Sequence, residues 1–188
     1  RALGVQVPVA PGKGYSLTLH LEEHGIDPAA VPHVPMLLPE VRVAVTPHVG
    51  GSGSNGKPRP AALRLGSVME FAGYDPSIAR KRLALLTRGA SKFLNVPSEP
   101  PRDDHPAGDN RWAGWRPMTP DGVPLIGPAP GGRDGRADNL YVAAGHNMLG
   151  LSMAPSTGRL IAEMVTNAAP HLDPTLYDPQ RFSRGRSR

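Results

Sequence analysis

The sequence predicts an α+β or α/β fold, in which a mixed β-sheet carries packed helices. Three observations support this class. Apolar and polar residues alternate in several short segments, as in half-buried strands. Two longer segments repeat apolar residues every three or four positions, as in amphipathic helices. The chain of 188 residues, 39% of them hydrophobic, is also long enough to bury a core.

The first part of the chain is predicted to form strands joined by hairpins. Residues 5–9 and 14–19 alternate around Pro11-Gly12, which predicts two strands and a turn. Residues 41–45 and 63–71 predict a second pair of strands, separated by a loop rich in glycine and serine.

Two helices are predicted after these strands. Asp75 has the character of an N-cap with proline at the next position, and an apolar face follows as far as about Leu94. Residues 140–144 predict a short buried strand, and residues 152–167 predict the second helix. Pro155 is tolerated there because N–H groups of the first helical turn lack partners in any case.

Two loops rich in proline, glycine and charged residues separate these elements. They cover residues 95–110 and 130–138.

Composition argues against several classes of site. The chain has no cysteine, so disulfides, thiolate catalysis and cysteinyl attachment of a cofactor are excluded within it. The seven histidines show no spacing that predicts a metal site. No apolar run reaches the roughly 18 residues that a membrane span requires. We therefore expect no metal and no membrane span.

The basic charge raises the question of nucleic-acid binding. The formal net charge is +5, but several arginines cluster in the last eight residues, where residues 169–188 predict a solvated basic tail. Aromatic residues make up only 5% of the chain and do not alternate with basic ones. We expect no nucleic-acid partner.

Residues 51–56 match the pattern G-x-G-x-x-G of dinucleotide sites. Such a site needs a helix that opens at the third glycine, but Pro58 and Pro60 forbid a continuous helix there. The segment therefore predicts a hairpin loop.

Residues 112–127 hold one arginine in a rigid apolar setting. Arg116 stands between Trp115 and Pro117, and its planar fork suits bidentate binding of a carboxylate. A cation in such surroundings is costly without an anion. The alternative is that Arg116 stacks on Trp115 or pairs with Asp121 and only fixes a loop. Position and composition alone favour this alternative.

Residues 145–150 form a glycine-bounded turn between an apolar strand and a helix. This arrangement presents a helix N-terminus to electron-rich ligand atoms, and Gly145 allows close approach of the backbone. His146 is either a donor to a flavin oxygen or a structural residue, and Met148 is either a pocket wall or a core residue. An arginine suited to bind a carboxylate, together with a helix N-terminus suited to bind electron-rich atoms, indicates a flavin enzyme that acts on an amino acid.

Together with residues 11–18 (PGKGYSLT), these two motifs resemble the C-terminal half of the FAD-dependent D-amino acid oxidase superfamily. The likeness is closest to D-amino acid dehydrogenases, with glycine and sarcosine oxidases as cousins. It extends from about Val5 to Arg181 and is strongest in residues 112–182.

The resemblance implies a substrate domain and an FAD-binding domain built from separated chain segments. Residues 1–110 are then part of the substrate domain. Residues 111–136 bind the substrate carboxylate and connect the two parts. Residues 137–168 form the last strand and helix of the FAD-binding domain, and residues 169–188 are the basic tail.

The resemblance also implies an activity and its residues. Family enzymes remove the α-hydrogen as hydride to flavin, and the imino acid hydrolyses to a 2-oxo acid and ammonia. Arg116 would pair with the substrate carboxylate, with Tyr15 and Met148 as further substrate-binding residues, although Tyr15 is equally consistent with a plain sheet aromatic. The residues expected to bind FAD, without covalent attachment, are Gly145, His146, Asn147, Met148, Leu149, Gly150, Leu151 and Ser152.

The chain departs from the family pattern at its start. The N-terminal strand, its glycine fingerprint and the ribose-binding acid are missing, so we expect an N-terminal FAD-binding half as partner. Asn147 stands where relatives often have glycine. We expect a cytoplasmic protein, associated with a membrane only through its electron acceptor, which the sequence does not identify. The alternative function is a cofactor-free remnant or binding module that keeps the fold.

Overall fold

The structure is a computed structural model that describes residues 5–52, 56, 58–102, 110–131 and 136–182. Seven strands and two α-helices are found in these ranges. In chain order they are β1 (Ala10–His20), β2 (Met36–Leu38), β3 (Val43–Ser52), β4 (Pro58–Glu70), α1 (Arg80–Ala90), β5 (Arg111–Met118), β6 (Leu125–Pro130), β7 (Arg136–Ala144) and α2 (Gly150–Val165). Short 3-10 turns occupy Pro28–Ala30, Pro174–Tyr177 and Pro179–Phe182.

The strands form two sheets, which confirms the predicted fold class. The larger sheet has the order β2-β3-β4-β1-β5, and the smaller consists of β6 and β7. The pairs β1–β4, β2–β3, β3–β4 and β6–β7 are antiparallel.

The chain divides into two compact units. One is Lys13–Trp115, and the other combines Arg1–Gly12 with Arg116–Arg188. We call them the sheet unit and the arm unit.

The core of the sheet unit follows from strand alternation. Leu17 faces Leu65 on β4, and Leu65 faces Val45 on β3, so every second residue of three neighbouring strands shares one face. Helix α1 covers this face with Leu83 and Leu86, which are 1% and 0% exposed. Gly89 permits the close packing, because a Cβ there would lie 2.8 Å from Cγ2 of Val43.

The structure differs from the sequence expectation in two places, the first predicted hairpin and the start of the first helix. No hairpin forms around Pro11-Gly12, since β1 runs through both residues and residues 5–9 form no strand. Helix α1 begins at Arg80 rather than after Asp75, because the Asp75 carboxylate accepts hydrogen bonds from the backbone N–H and hydroxyl of Ser77 and so stabilises a turn. The hairpin of β3 and β4 is confirmed and is longer than predicted.

Candidate active site

Arg116 is half-buried near the end of β5, and one of its guanidinium nitrogens lacks a partner. Its Nη1 atom is buried and makes no hydrogen bond. Burial lowers the pKa of Arg116, because a charged group is poorly solvated there. Arginine nevertheless stays protonated at any physiological pH. This segment therefore contains a half-buried positive charge with one unmet donor.

The alternative partner for Arg116 is already occupied. Both carboxylate oxygens of Asp121 accept from Arg181, with Nε to Oδ2 at 2.8 Å and Nη2 to Oδ1 at 3.0 Å. This bidentate pair holds the pKa of Asp121 at about 2. The ring of Trp115 packs against Tyr74 at 5.8 Å between centroids. The structure therefore does not support the interpretation that Asp121 neutralises Arg116.

Arg181 itself differs from the sequence expectation. It is not a solvated tail residue, because it also donates to the carbonyl oxygens of Val123 and Pro124 and lies over the Phe182 ring at 4.6 Å. The sequence did contain a signal for this pair, namely an aspartate in a tight Pro-Asp-Gly turn. No local pattern, however, indicated an arginine 60 residues away as its partner.

Asn147 joins the turn of residues 145–149 to the segment that follows Arg116. Its backbone N–H donates to the Pro117 carbonyl oxygen at 3.1 Å. Its side-chain Oδ1 accepts from the Thr119 N–H at 3.2 Å, and its Nδ2 donates to the Gly122 carbonyl oxygen at 2.8 Å. The left-handed backbone of Asn147, with φ of 53°, is one that asparagine tolerates. The two motifs singled out in the sequence are therefore bonded to each other.

Gly145 fits against the same segment. Its φ is 76°, and a Cβ at this position would lie 2.4 Å from Cγ2 of Thr119. No side chain can be accommodated here unless Thr119 moves. The hydroxyl of Thr119 is itself buried without a hydrogen-bond partner. This second unmatched polar atom was not predicted from the sequence, because nothing in the local pattern distinguishes Thr119 from an ordinary loop threonine.

His146 is bonded to α2. Its Nε2 atom lies 2.9 Å from Oγ1 of Thr157, and burial lowers the pKa of the imidazole. Burial therefore favours the neutral form of the ring. This contact agrees with the structural role weighed for His146, since one ring nitrogen is engaged within the arm unit.

The N-terminus of α2 is open. Leu149 is the N-cap, no side chain caps the helix, and its first turn holds no acidic residue. The first N–H groups of any helix have no partners within it, and the helix dipole places partial positive charge there. Around this end Met148, Leu149 and Leu151 expose 68%, 59% and 94% of their surface. Polar donors and apolar side chains thus occur together at one helix end.

Tyr15 lies in the core of the sheet unit and is 2% exposed. Its hydroxyl donates to Oε1 of Glu70, and Arg82 pairs with the same carboxylate at 2.5 Å. Burial, followed by Glu70, raises the pKa of Tyr15, while the Tyr15 hydroxyl and Arg82 lower that of Glu70. The structure thus places Tyr15 where the simpler interpretation, a sheet aromatic, puts it.

Lys13 completes this buried network. Its Nζ donates to the Ser77 carbonyl oxygen and to Oδ2 of Asp75, the latter at 3.3 Å, and lies over the Tyr15 ring. Burial acts to lower the pKa of Lys13, but its contacts with Tyr15 and Asp75 outweigh that effect and raise it. The sequence gave no indication that this lysine is buried.

The first two residues of the loop predicted at residues 51–56 belong to β3, where Gly51 and Ser52 pair with Arg59 and Pro58 of β4, and residues 53–55 fall outside the described ranges. Within the described residues no group of three His, Cys, Asp or Glu side chains could hold a metal ion. None of the helices in these ranges is both long and apolar enough to span a lipid bilayer.

Comparison with known proteins identifies the family. Residues 1–164 match the model of the FAD dependent oxidoreductase (DAO) family. The chain is 35% identical over 186 residues to a D-amino acid dehydrogenase of Xanthobacter autotrophicus, covering 96% of this chain and 37% of that protein. It is 36% identical over 177 residues to one from Methylobacterium nodulans, covering 92% and 34%. The chain thus spans little more than a third of the length of these relatives.

Solved structures show the same fold. Glycine oxidase from Geobacillus kaustophilus superposes with a TM-score of 0.69 at 22% identity, covering 95% of this chain and 41% of that one. Iminodiacetate oxidase from Chelativorans sp. BNC1 gives 0.66 at 19% identity, covering 94% and 41%. With the family match over most of its length, the chain belongs to the FAD dependent oxidoreductase family.

Proposed function

We propose that this chain is the C-terminal part of an FAD-dependent enzyme that oxidatively deaminates D-amino acids or related amines. The observation that carries the proposal is the buried Nη1 of Arg116, which has no hydrogen-bond partner. An unmet charged donor costs free energy unless a ligand completes it. The carboxylate of an amino acid has the charge and the planar geometry that a guanidinium binds best.

The residues of the arm unit fit FAD beside such a substrate. We propose that Gly145, His146, Asn147, Met148, Leu149, Gly150, Leu151 and Ser152 contact the isoalloxazine ring. The uncapped start of α2, free of acidic residues, suits the electron-rich edge of a flavin. The exposed Met148 and Leu151 offer apolar contact to its rings. With no cysteine in the chain, cysteinyl attachment from this part is excluded, and we propose that FAD binds without covalent attachment.

The protein's own contribution to the reaction is to bind and orient the substrate. Arg116 holds the carboxylate, and the bonds of Asn147 to Pro117, Thr119 and Gly122 keep the following segment in place. When bound, FAD supplies the acceptor for the hydride that leaves the α-carbon. Tyr15 is buried and bonded to Glu70, so we now propose that it supports the sheet rather than touching substrate. Met148 remains a proposed substrate contact.

Domain roles, partners and location follow as part of the same proposal. We assign residues 1–110 to the substrate domain, 111–136 to carboxylate binding and connection, and 137–168 to the FAD-binding domain. The remaining FAD-binding half is the expected protein partner. Electrons then pass to an acceptor, through which a cytoplasmic enzyme would associate with the membrane.

The test is to co-express the chain with the N-terminal half of a D-amino acid dehydrogenase relative. The expected complex is yellow and reduces a dye in the presence of D-amino acids. Arg116→Ala should then lower kcat/KM by the equivalent of roughly 2–5 kcal/mol, since a charged bidentate contact is lost. Arg88→Ala, which removes an exposed arginine paired with Glu99, is the matched control and should leave kcat and KM unchanged.

Two results would contradict the proposal. One is a folded complex that shows no flavin absorbance. If the chain alone also unfolds cooperatively, the result would support the cofactor-free binding module instead. The other is an unchanged KM and kcat in Arg116→Ala.

A further inference from the structure

Hydrogen bonds join Ser156 and Glu163 of α2 to His171, which follows the helix. Ser156 and Glu163 lie seven residues apart on α2, and therefore on the same face of the helix about two turns apart. His171, from the segment after the helix, lies between them. Its Nε2 atom is 2.9 Å from Oγ of Ser156, and its Nδ1 atom is 2.8 Å from Oε2 of Glu163.

The charge of Glu163 decides the direction of these hydrogen bonds. The ring and backbone N–H of His171, with Arg159, hold the pKa of Glu163 at about 2, so the side chain is a carboxylate at neutral pH. A carboxylate only accepts hydrogen bonds, so Nδ1 of His171 must carry the proton. In the neutral ring Nε2 is then an acceptor, and the Ser156 hydroxyl donates to it.

The base is held firmly while the hydroxyl is accessible. The backbone N–H of His171 donates to Oε2 of Glu163 at 2.9 Å, and Arg159 Nε donates to Oε1 at 2.8 Å. The side chains of His171 and Glu163 are 18% and 13% exposed, whereas Ser156 is exposed. Two fixed partners and an open hydroxyl are the arrangement that an activated serine requires.

We propose that Ser156, His171 and Glu163 form a nucleophilic serine site that reacts with small activated esters, an activity separate from amine oxidation. Ser156 is the nucleophile, His171 the general base, and Glu163 a positioning residue that fixes the imidazole tautomer. The proposal does not depend on the amine-oxidase function or on FAD.

The reaction balances with an ester and water alone. Oγ of Ser156 forms a bond to the ester carbonyl carbon while its proton moves to Nε2 of His171. The bond to the leaving alcohol then breaks, and that oxygen takes the proton from Nε2. Water adds to the acyl-serine by the same proton path, which releases the carboxylic acid and restores the Ser156 hydroxyl.

The position of Ser156 in the helix defines the substrate class. Backbone N–H groups in a helix interior already bond to carbonyl oxygens four residues earlier, so those beside Ser156 are not available as an oxyanion hole. Such donors ordinarily contribute about 100- to 1,000-fold to acyl transfer. We therefore assign to the site small aryl esters, whose good leaving groups need less help from the protein.

The experiment is to treat the purified chain with a fluorophosphonate probe and to locate the label by mass spectrometry. The expected result is labelling of Ser156 and slow turnover of p-nitrophenyl acetate, both lost in Ser156→Ala. Ser91→Ala is the matched control, because Ser91 is partly exposed and its hydroxyl donates only to the Arg88 carbonyl oxygen among the described contacts. Unchanged labelling in Ser156→Ala would overturn the proposal.

Two further measurements separate activation from mere accessibility. His171→Asn should slow labelling by about 100-fold or more, as expected for loss of a general base, and Glu163→Gln by at least about tenfold. Nitrogen chemical shifts of His171 in the unaltered chain should show the proton on Nδ1, a result that does not require the variants to fold. Labelling at wild-type rate in His171→Asn, or a proton on Nε2 in the neutral ring, would overturn the proposal.

Discussion

Helices α1 and α2 use their apolar residues in opposite ways. Helix α1 has 11 residues, four of them basic, and yet buries six. Helix α2 has 16 residues with only one arginine and one glutamate, and it buries two, Thr157 and Leu160. The less apolar helix is therefore the better buried one.

The difference shows that the two helices are covered to different degrees within their own units. In the sheet unit, α1 packs on a buried face that includes Tyr15, Leu17, Val45 and Leu65. In the arm unit, Leu151 and Val165 expose 94% and 54% of their surface.

The largest change in stability is expected when two single variants are compared, each with one leucine shortened to alanine, one in α1 and one in α2. Leu86→Ala in α1 should lower the free energy of unfolding by about 2–5 kcal/mol, because the side chain is completely buried. Leu151→Ala in α2 should change it by no more than about 0.5 kcal/mol. Urea unfolding of the two variants measures both. Similar losses of unfolding free energy in the two variants would show that the two helices do not differ in burial.

A second test asks whether the arm unit is nevertheless rigid around Arg116. Gly145→Ala should destabilise the protein by about 1–3 kcal/mol, since it forces a side chain into a left-handed backbone and against Thr119. The combined Gly145→Ala and Thr119→Ser variant removes the clashing methyl and should recover part of the loss. Full stability of Gly145→Ala in thermal unfolding would mean that this turn is adaptable.

A third test uses acid. The pKa of Asp121 is about 2 in the folded protein against an ordinary 3.8, so its pair with Arg181 stabilises the fold above about pH 4 and loses that effect as the pH falls toward 2. The contribution should be about 1 kcal/mol, because 37% of the carboxylate side chain is exposed to screening solvent.

The check is NMR titration of the Asp121 carboxyl group. In Arg181→Met its pKa should return toward the ordinary value, and Asp121→Asn should remove this part of the acid dependence of stability. An Asp121 titration that Arg181→Met leaves unchanged would refute the pair as the cause.

The smallest change in stability is expected for a substitution at Gly158, on α2. A Cβ at Gly158 would meet nothing within 4 Å. Gly158→Ala should therefore stabilise the protein by about 0.5–1 kcal/mol, by lowering the backbone entropy of the unfolded chain. A destabilisation seen in thermal unfolding would indicate that this face of α2 is covered.

The sequence predicted those features that local patterns encode. Alternation predicted β3 and β4, the three- and four-residue period predicted both helices, and the two prolines after Gly56 correctly excluded a dinucleotide loop. Strand β5 was missed because Trp, Arg and Pro interrupt its alternation. The hairpin expected around Pro11-Gly12 does not form, since β1 runs through both residues and pairs with β4 from Lys13 onward.

The side-chain partners of the site could not be predicted, because they join residues distant in sequence. Arg181 meets Asp121 across 60 positions, and Asn147 meets Gly122 across 25. The role of Asn147 illustrates this limit. The sequence showed only that it replaces a common glycine, whereas the structure shows its amide bonding two separate points of the Arg116 segment.

The anchoring of Arg181 has a practical consequence for the end of the chain. Four hydrogen bonds from one guanidinium fasten residues 178–182 to residues 121–124. Removal of Arg181 should therefore release residues 178–182 from residues 121–124 and lower the melting temperature. Affinity tags and fusion partners are therefore best attached beyond residue 182.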